Sequence, residues 1–448
     1  MATATVKNLA TGGMSAIMGV DRRDPYISPA QFAELFKDET PFLWLSLKNR
    51  QTGLKDPLFK MFQYENTYMR RYFYNNGSTV TIGAASVGAA TESSAVTIDN
   101  VTGYGSTTTI DSSFVHKVFE VYDSTWVTDP TLATLKGVVL LTDDASTTTA
   151  AFKNLTTTAV STVDNDVFVE ITNAQEDGSE APDAIASELA IVWNQCQQFK
   201  TAIQLEGEIL YASLRGENNE FMRLVAEYTK AHKLNIEGAF LRGSNPVGLN
   251  LAAGDTFTQH DALTGDTGKV VRSTMGIITA LNKYGSSSGQ YQNLWSFAQA
   301  SASYSDFVDM SEKIFQFYPP NGELYAVSGP TAYSYWSKLL YARGKGINDN
   351  WTVQFAPQGR DSFGVNVRVL STPNGDLKLT KSDAMKFENA KKMVVVDDRN
   401  IKYMEYRPTE YKADIKKDNA YDGRKDQIFT DAGIGITHIK THNLITLT

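Results

Sequence analysis

The stretch ENNEFMRLVAEYTKAHKLNIEGAFLRG, residues 217–243, decides the fold. Its apolar side chains recur at steps of three and four residues, which is the spacing of one face of an α-helix. The pattern predicts a helix from Glu217 to Leu241 that stops at Gly243, because glycine favours the turn that ends a helix. His232 falls on or beside the apolar stripe, and we expect it to be a core or interface histidine.

The chain before this helix is predicted to be extended. In residues 189–205 apolar side chains alternate with polar ones, which is the period of a strand. Further upstream, residues 70–190 are rich in Thr, Val, Ser and Gly and contain short alternating runs, such as STVTIG and KGVVLLTD. This composition favours a small antiparallel β-structure over a flexible Ser/Thr-rich linker. The sequence leaves open whether this is one extended loop or a small inserted β-domain.

The C-terminal half mixes strands and helices. A helix is predicted at Lys269–Tyr284. Residues 323–344 indicate a strand, a Ser-Gly-Pro turn and a helix, and residues 362–380 indicate two strands joined by a Pro-Asn-Gly turn. Strands are also predicted in residues 391–408 and 433–447. This order is typical of the α+β class and not of a regular βαβ repeat.

The first 65 residues hold too few apolar side chains for a core of their own. Pro29 can open a short helix over Ala30–Phe36, with Ser28 as its cap. Phe42 and Trp44 belong to a set of scattered hydrophobic residues that must be buried against the rest of the chain or against a neighbouring copy. We therefore predict an N-terminal arm.

Composition argues against several classes of function. The 448 residues hold one cysteine, Cys196, which excludes an internal disulfide framework and a cysteine-based metal cluster. No apolar run approaches the roughly 18 residues of a membrane-spanning helix, so no membrane partner is expected.

The net charge is −8, and residues 66–189 hold 5 Lys and Arg against 16 Asp and Glu. Such an acidic segment disfavours contact with phosphates and indicates an outward, solvated surface.

No catalytic or binding site is predicted. The chain lacks the glycine-rich phosphate loops, the nucleophile elbow and the zinc-protease motif. His438 and His442 are four residues apart, but on the strand expected here they would lie roughly 13 Å apart, too far for one zinc ion. The pairs Asp143–Asp144 and Asp397–Asp398 are interpreted as solvated turn carboxylates, because adjacent strand residues point to opposite faces. We therefore expect that the protein has no catalytic residue, binds no cofactor and no metal, and is not an enzyme.

Five phrases, in their order along the chain, resemble motifs of the HK97-fold major capsid proteins of tailed double-stranded DNA bacteriophages. They are WNQCQQFKTAIQLEGEI (193–209), NIEGAFLRG (235–243), VRSTMGIITALN (271–282), SFGVNVRVLSTPNGDLKL (362–379) and GIGITHIKTHNLITLT (433–448). In turn they are similar to the end of the extended loop, the end of the spine helix, an R-x-M-x-G-I helix, an S-x-F-G-x-V strand and turn, and the closing strand. The resemblance runs from about Ser28 to Thr448.

The resemblance implies an α+β, HK97-like capsid fold in five segments. They are an N-terminal arm and first peripheral segment (1–65), a β-rich extended loop or insertion (66–215), the spine helix and peripheral domain (216–300), an axial domain (301–395), and C-terminal strands that return to the peripheral domain (396–448).

The resemblance also implies a function. The chain would be a structural major head protein that self-assembles into an icosahedral shell enclosing a phage DNA genome, located in the virion and assembled in the host cytoplasm. Its implied partners are further copies of itself in hexamers and pentamers, scaffolding and portal proteins, decoration proteins in some phages, and packaged double-stranded DNA contacted non-specifically. Two alternatives stay open: an encapsulin-like compartment shell, and a non-viral α+β enzyme or adhesin.

Overall fold

The computed structural model describes residues 40–63, 72–76, 79–84, 94–102, 114–127, 130, 132–146, 149–175, 177–178, 190–211, 220–245, 263–264, 270–288, 291–299, 304–317, 322–343, 359–360, 366–372, 374–415 and 422–448. These residues fall into two compact units. The first, which we call the body, comprises the described residues within 40–61, 191–285 and 293–448. The second, the barrel unit, comprises those within 62–190 and 286–292.

The secondary structure combines helices with many strands. The α-helices are α1 (Pro41–Lys48), α2 (Gly207–Tyr211), α3 (Glu220–Arg242), α4 (Ile277–Tyr284), α5 (Tyr304–Ile314) and α6 (Pro330–Arg343). The β-strands are β1 (Arg50–Gln51), β2 (Leu58–Gln63), β3 (Tyr72–Asn75), β4 (Val80–Ile82), β5 (Ser94–Thr102), β6 (Lys117–Tyr122), β7 (Leu135–Ser146), β8 (Thr149–Asn154), β9 (Val160–Thr162), β10 (Val167–Asn173), β11 (Ala190–Gln195), β12 (Gln197–Glu206), β13 (Leu263–Thr264), β14 (Val270–Val271), β15 (Leu294–Phe297), β16 (Gly322–Ser328), β17 (Gly359–Arg360), β18 (Asn366–Thr372), β19 (Gly375–Lys381), β20 (Lys392–Val396), β21 (Ile401–Lys412), β22 (Gly423–Ile436) and β23 (Asn443–Leu447). The predicted α+β class is confirmed.

A long antiparallel hairpin forms one sheet of the body. Strand β22 pairs with β21 on one side and with β12 on the other, and the order across the sheet is β1-β21-β22-β12. Along β12 the side chains of Phe199, Ile203 and Leu205 are buried, and the residues between them are more exposed. The predicted extended element is confirmed, because these odd-numbered residues share the inward face of a strand.

Helix α3 packs against this sheet through its apolar stripe. Leu224 joins Ile203 and Ile428 in one small cluster, and Phe240 lies in the main core of the body. The predicted end of the helix is confirmed, since the N–H of Gly243 donates to the carbonyl of Ala239 at 2.7 Å. A Cβ on Gly243 would lie 2.3 Å from the carbonyl oxygen of Thr274, so only glycine fits this close approach. Residues 217–219 of the predicted helix lie outside the described residues.

A second, mixed sheet of the body has the order β15-β23-β20-β16-β19-β18-β17. The predicted strand, turn and helix correspond to β16 and α6, and the predicted hairpin corresponds to β18 and β19. Helices α5 and α6 cover a core in which the rings of Phe307 and Trp336 lie 5.2 Å apart. Trp336 is buried, so the apolar positions of this helix serve packing.

The barrel unit contains a closed antiparallel barrel with the order β10-β3-β5-β8-β7-β6. Its core is aromatic: Phe168 stacks on Phe73 at 5.0 Å and on Phe152 at 4.9 Å. A core of this kind, separate from the cores of the body, is what an inserted domain needs to fold as a unit. The described residues within 62–190 therefore form a compact β-unit with a core of its own, and an insertion at the extended loop stays a prediction.

The chain passes from the barrel unit to the body at Ile191, so β12 belongs to the body. The five predicted segments and their bounds stay predictions. The helix expected at Lys269–Tyr284 spans only α4, because Gly276 is extended and a Cβ on it would lie 2.7 Å from the backbone of Arg242. The names peripheral and axial stay predictions.

The closing segment also differs. His438 and His442 were expected on a strand, but β22 ends at Ile436 and β23 begins at Asn443. Between the strands a 3₁₀ turn, Ile439–Thr441, is flanked by the two histidines, and His438 has a left-handed backbone with φ of 48°. The chain passes between the two sheets of the body at this turn, because β22 belongs to the four-stranded sheet and β23 to the seven-stranded one.

Near the N-terminus the structure adds a helix that the sequence did not indicate. Helix α1 buries Phe42 and Leu43 in the main core of the body, while the side chain of Trp44 stays 46% exposed. The expectation that these apolar residues need a partner surface is confirmed for Phe42, whose partner is the body itself. The helix predicted over Ala30–Phe36 lies outside the described residues.

Candidate functional site: buried charges of the body

The carboxylate of Asp431 on β22 is the centre of one buried charge cluster. Its side chain has no exposed surface, and it pairs with Arg272 at 3.4 Å and with Arg407 at 3.1 Å. The side-chain oxygen of Gln198, in the amide orientation that satisfies its neighbours, accepts from both guanidinium groups, at 2.9 and 3.0 Å. The guanidinium of Arg407 also lies 4.4 Å from the ring centroid of Phe429. The cluster joins β12, β21 and β22 to the segment before α4.

A second cluster surrounds Asp426, near the start of β22, at the end of the hairpin where the chain connects β21 to β22. Arg424 donates to its carboxylate at 3.0 Å, the N–H of Asp414 donates at 2.9 Å, and the hydroxyl of Tyr411 donates to it as well. Burial alone would raise the pKa of Asp426, but these hydrogen bonds outweigh it and lower the pKa. Burial and the Asp426 carboxylate raise the pKa of Tyr411 to about 12. The cluster therefore holds an ionised carboxylate that keeps the hairpin closed.

Glu237 is a buried carboxyl group at the meeting point of α3, α1 and a 3₁₀ turn, Asp383–Met385. The N–H of Leu43 donates to its Oε2 at 3.2 Å, and the hydroxyl of Ser382 donates to its Oε1. Burial raises the pKa of Glu237 to about 7, because the hydrogen bonds only partly offset the loss of solvent. This side chain therefore links three elements and changes charge near neutral pH.

Glu237 predicts a pH dependence of stability. Its pKa is raised from 4.5 to about 7, so between these values the folded protein holds a proton that the unfolded chain releases. Stability therefore falls as the pH rises through this window and is constant above it, and the full shift corresponds to about 3 kcal/mol. We expect Glu237→Gln, which keeps the shape of the neutral acid, to remove this loss.

The measurement is chemical denaturation at about pH 5 and about pH 8, on either side of most of this titration. The difference in unfolding free energy between the two pH values should be smaller in Glu237→Gln than in the unchanged protein. Glu312→Gln, at an exposed position of α5, is the matched control and should leave that difference as it is. An unchanged pH dependence in Glu237→Gln would contradict the assignment.

The described histidines with a buried ring serve packing contacts. His232 of α3 is bonded at both ring nitrogens, to Thr201 at 2.9 Å and to Thr430 at 2.9 Å, and burial lowers its pKa. The prediction of a core histidine is confirmed. His442 is fully buried, its Nδ1 accepts from the N–H of Asp397 at 3.2 Å, and burial lowers its pKa to about 4. Both rings are therefore neutral at pH 7.

Both carboxylates of the acid pair Asp397–Asp398 were expected to be solvated, but that of Asp397 is buried. Asp397 is buried and caps the 3₁₀ turn Asp398–Asn400 by accepting from the N–H of Arg399 at 3.1 Å. Asp398 instead pairs with Lys48 of α1. The two carboxylates thus serve separate contacts, as expected of adjacent residues. The side chains of Asp143 and Asp144 lie outside the described residues.

The buried charges of Asp431, Asp426 and Glu237 therefore hold neighbouring strands and helices together. The thiol of Cys196 is buried, which raises its pKa to about 12 and leaves it protonated. Within the described part of the chain, no group of three or more His, Cys, Asp and Glu side chains is placed to hold a metal ion. The roles of Asp426, Asp431 and Glu237 were not predicted from the sequence. The available signal was an acidic residue at an inward position of a strand or helix that is otherwise apolar.

A family model described as the SU10 major capsid protein matches residues 31–448. Solved structures also show similarity. They are the holo-SrpI encapsulin complex from Synechococcus elongatus (11% identity, 57% of this chain and 74% of that chain, TM-score 0.36), the capsid of a native GTA particle (11%, 61% and 80%, 0.39) and the capsid of the cyanophage P-SCSP1u (11%, 62% and 80%, 0.37). The family match rests on the sequence and does not depend on these structural likenesses.

No curated protein matches the chain. None of the helices in the described ranges is long and apolar enough to cross a membrane.

Proposed function

The chain belongs to the SU10 major capsid protein family and is therefore a structural capsid protein; from this we propose that many copies of it assemble into a closed icosahedral shell around a phage DNA genome. The match over residues 31–448 carries this proposal, because it takes in both the body and the barrel unit. The match is to a capsid family, and so it favours this function over an encapsulin-like compartment shell and over an enzyme or adhesin.

Exposed apolar side chains support assembly into a many-copy shell. The described surface carries large hydrophobic residues that are more than a third exposed, and a contact with another copy would remove such side chains from water. They are Trp44, Phe62, Leu132, Leu135, Leu155, Val163, Ile171, Leu210, Met222, Tyr228, Val270, Val271, Phe317, Phe387 and Tyr411. We infer that contacts between copies, arranged in hexamers and pentamers, bury a part of this surface.

The element order supports an HK97-like assignment of parts. We propose that α3 is the spine helix, that the sheet carrying β16 and β20 is the axial domain, and that β12, β21 and β22 belong to the peripheral domain. The barrel unit is then an insertion at the extended loop. Since residues 66–189 carry 16 acidic against 5 basic residues, we propose that it faces away from the packaged DNA, which the rest of the chain contacts without sequence preference.

The remaining partners follow from the capsid role. We propose that assembly takes place in the host cytoplasm with separate scaffolding and portal proteins, and that decoration proteins join in some shells. No cofactor, no metal and no membrane enters the proposal, and the role is structural and not enzymatic. The finished protein then resides in the virion.

A content measurement tests the DNA-enclosing function. Particles that contain this chain, once isolated and treated with nuclease, should protect double-stranded DNA of uniform length. Particles that protect no nucleic acid and instead hold a co-purifying enzyme would contradict the proposal and support the encapsulin-like alternative.

The proposed arm gives a further prediction. Deletion of residues 2–27 should leave soluble protein that forms few shells, because an arm too poor in apolar residues to fold alone acts through contacts with neighbouring copies. Shell yield is counted by negative-stain electron microscopy against the full chain. A variant in which residues 2–27 are replaced by a Gly/Ser linker of equal length controls for chain length and should fail equally. Normal shells from the deletion would refute a role for the arm.

A further inference from the structure

Phe387 is an aromatic side chain presented to solvent on the body. It begins a 3₁₀ turn, Phe387–Asn389, and its side chain is 86% exposed, more than any other large apolar residue in the described part of the chain. Its backbone φ is 60°, a left-handed conformation that a bulky residue rarely adopts. Such an outlier persists only when its surroundings hold it in place, and it points to a function.

The surrounding backbone fixes this turn. The N–H of Ala390 donates to the carbonyl of Phe387 at 3.1 Å, and the N–H of Lys386 donates to the carbonyl of Asp383 at 3.4 Å. On the other side, Gly329 packs so closely that a Cβ on it would lie 2.5 Å from the carbonyl oxygen of Asn389. The ring is therefore displayed by a rigid support, and a contact made through it loses little conformational entropy.

A cavity of about 650 Å³ lies beside the ring. Its walls are formed by α3, which contributes Gly238 and Arg242, and by the two 3₁₀ turns, which contribute Asp383, Lys386, Phe387 and Glu388. Gly238 leaves the α3 wall open, since a Cβ there would meet only the end of the Arg242 side chain, at 3.8 Å. The same surface thus carries both a projecting ring and an opening beside it.

The charges around this cavity favour a copy of the same chain as the partner. The lining holds two cations, Arg242 and Lys386, and two anions, Asp383 and Glu388, so its formal charge is zero on a chain of −8. Two such surfaces can face each other without net repulsion, with Arg242 of one copy opposite Glu388 of the other. DNA would instead select a basic lining.

We propose that Phe387 is an assembly anchor that enters the corresponding cavity of a second copy of this chain. The ring of one copy then lies beside the ring of the other, an arrangement in which aromatic side chains gain beyond simple burial. A projecting aromatic residue that fills a pocket is the usual centre of an interface hot spot. This proposal rests on the proposed shell function and names one contact that builds the shell.

Paired substitutions test the contact from both sides. Phe387→Gly removes the ring and also relieves the left-handed backbone, so the folded subunit should melt at or above the temperature of the unchanged protein. Gly238→Phe fills the cavity from within α3, and Gly238→Ala is its matched control with a single added carbon. Shell yield is measured by mass photometry and negative-stain electron microscopy, and the fold by thermal melting.

We expect Phe387→Gly and Gly238→Phe each to lower the shell yield by about tenfold or more, with melting temperatures close to that of the unchanged protein. Gly238→Ala should assemble normally. Shells at full yield from both Phe387→Gly and Gly238→Phe would overturn the proposal. The proposal would also be overturned if each variant that loses shells melts well below the unchanged protein, since that result indicates a purely structural role.

If the unchanged chain forms no shells, either alone or with a scaffolding protein, the proposed function fails by itself, and the contact is judged by crosslinking. Phe387→Cys and Gly238→Cys are prepared separately, mixed in equal amounts and oxidised. A disulfide between position 387 of one copy and position 238 of the other, formed in the mixture and absent from Gly238→Cys alone, upholds the contact between copies; Phe387→Cys alone should crosslink as well, because the two rings lie beside each other. Monomers in all three samples overturn it.

Discussion

Asp431→Ala is expected to lower the free energy of unfolding of the body by about 3 kcal/mol, the low end of the cost of breaking a buried ion pair. The carboxylate has no exposed surface, and its loss leaves Arg272 and Arg407 facing each other without an anion between them. The cost is placed at the low end because both guanidinium groups reach solvent in part. The same change opens the junction of β12, β21 and β22.

Chemical denaturation followed by circular dichroism measures this effect. Glu410→Ala is the matched control on the same hairpin, because Glu410 pairs with Lys412 at 3.6 Å with both side chains about half exposed. A pair of that kind contributes less than about 1 kcal/mol. If Asp431→Ala were no more destabilising than Glu410→Ala, the cluster would not hold the hairpin.

Phe168→Ala is the second large effect, and it should be confined to the barrel unit. The ring is fully buried and stacks on Phe73 at 5.0 Å and on Phe152 at 4.9 Å. Truncating a buried phenylalanine to alanine typically costs about 3–5 kcal/mol, from lost transfer energy and from the cavity left behind. For a small barrel that amount is a large part of its total stability.

Hydrogen exchange read by peptide mass spectrometry resolves where the loss occurs. Peptides from β3, β6 and β10 should lose protection, while peptides from α3 and β22 should keep it, because the two units have separate cores. Leu132→Ala removes a side chain that is 71% exposed and should change neither set. Equal loss of protection in both units would show that the barrel is not an independent domain.

The clusters give the body a stiffness that a shell subunit needs. Strands β21 and β22 form a long hairpin whose far end, beyond Glu405, is mostly exposed on the β21 side. The Asp426 cluster joins β21 to β22 at that end, and the Asp431 cluster joins the two strands near the middle of the hairpin. These contacts hold the hairpin in one shape. We propose that a hairpin held in this way presents the same contact to every neighbouring copy, which is what a repeated assembly requires.

Local periodicity explains what the sequence could predict. The steps of three and four residues in α3 and the alternation in β12 are properties of short windows, and both elements formed as expected. The family resemblance depended on five ordered phrases and was confirmed by the match over residues 31–448. Neither inference required knowledge of distant contacts.

Contacts between distant residues explain what could not be predicted. Helix α4 begins late because Gly276 passes within van der Waals distance of Arg242, which lies 34 positions earlier in the chain. The closing strand breaks at His438, whose left-handed backbone was not signalled by its apolar and polar neighbours. The role of Asp431 depends on its ion pairs with Arg272 and Arg407, which belong to other parts of the chain and could not be paired with it from the sequence.

Mass photometry with negative-stain electron microscopy on the purified full chain, expressed alone and together with a scaffolding protein, tests most directly whether this protein builds a shell. A capsid protein of this kind should give closed shells, or hexamer and pentamer rings, in at least one of the two preparations. Monomers and dimers alone in both preparations would contradict the shell-building function.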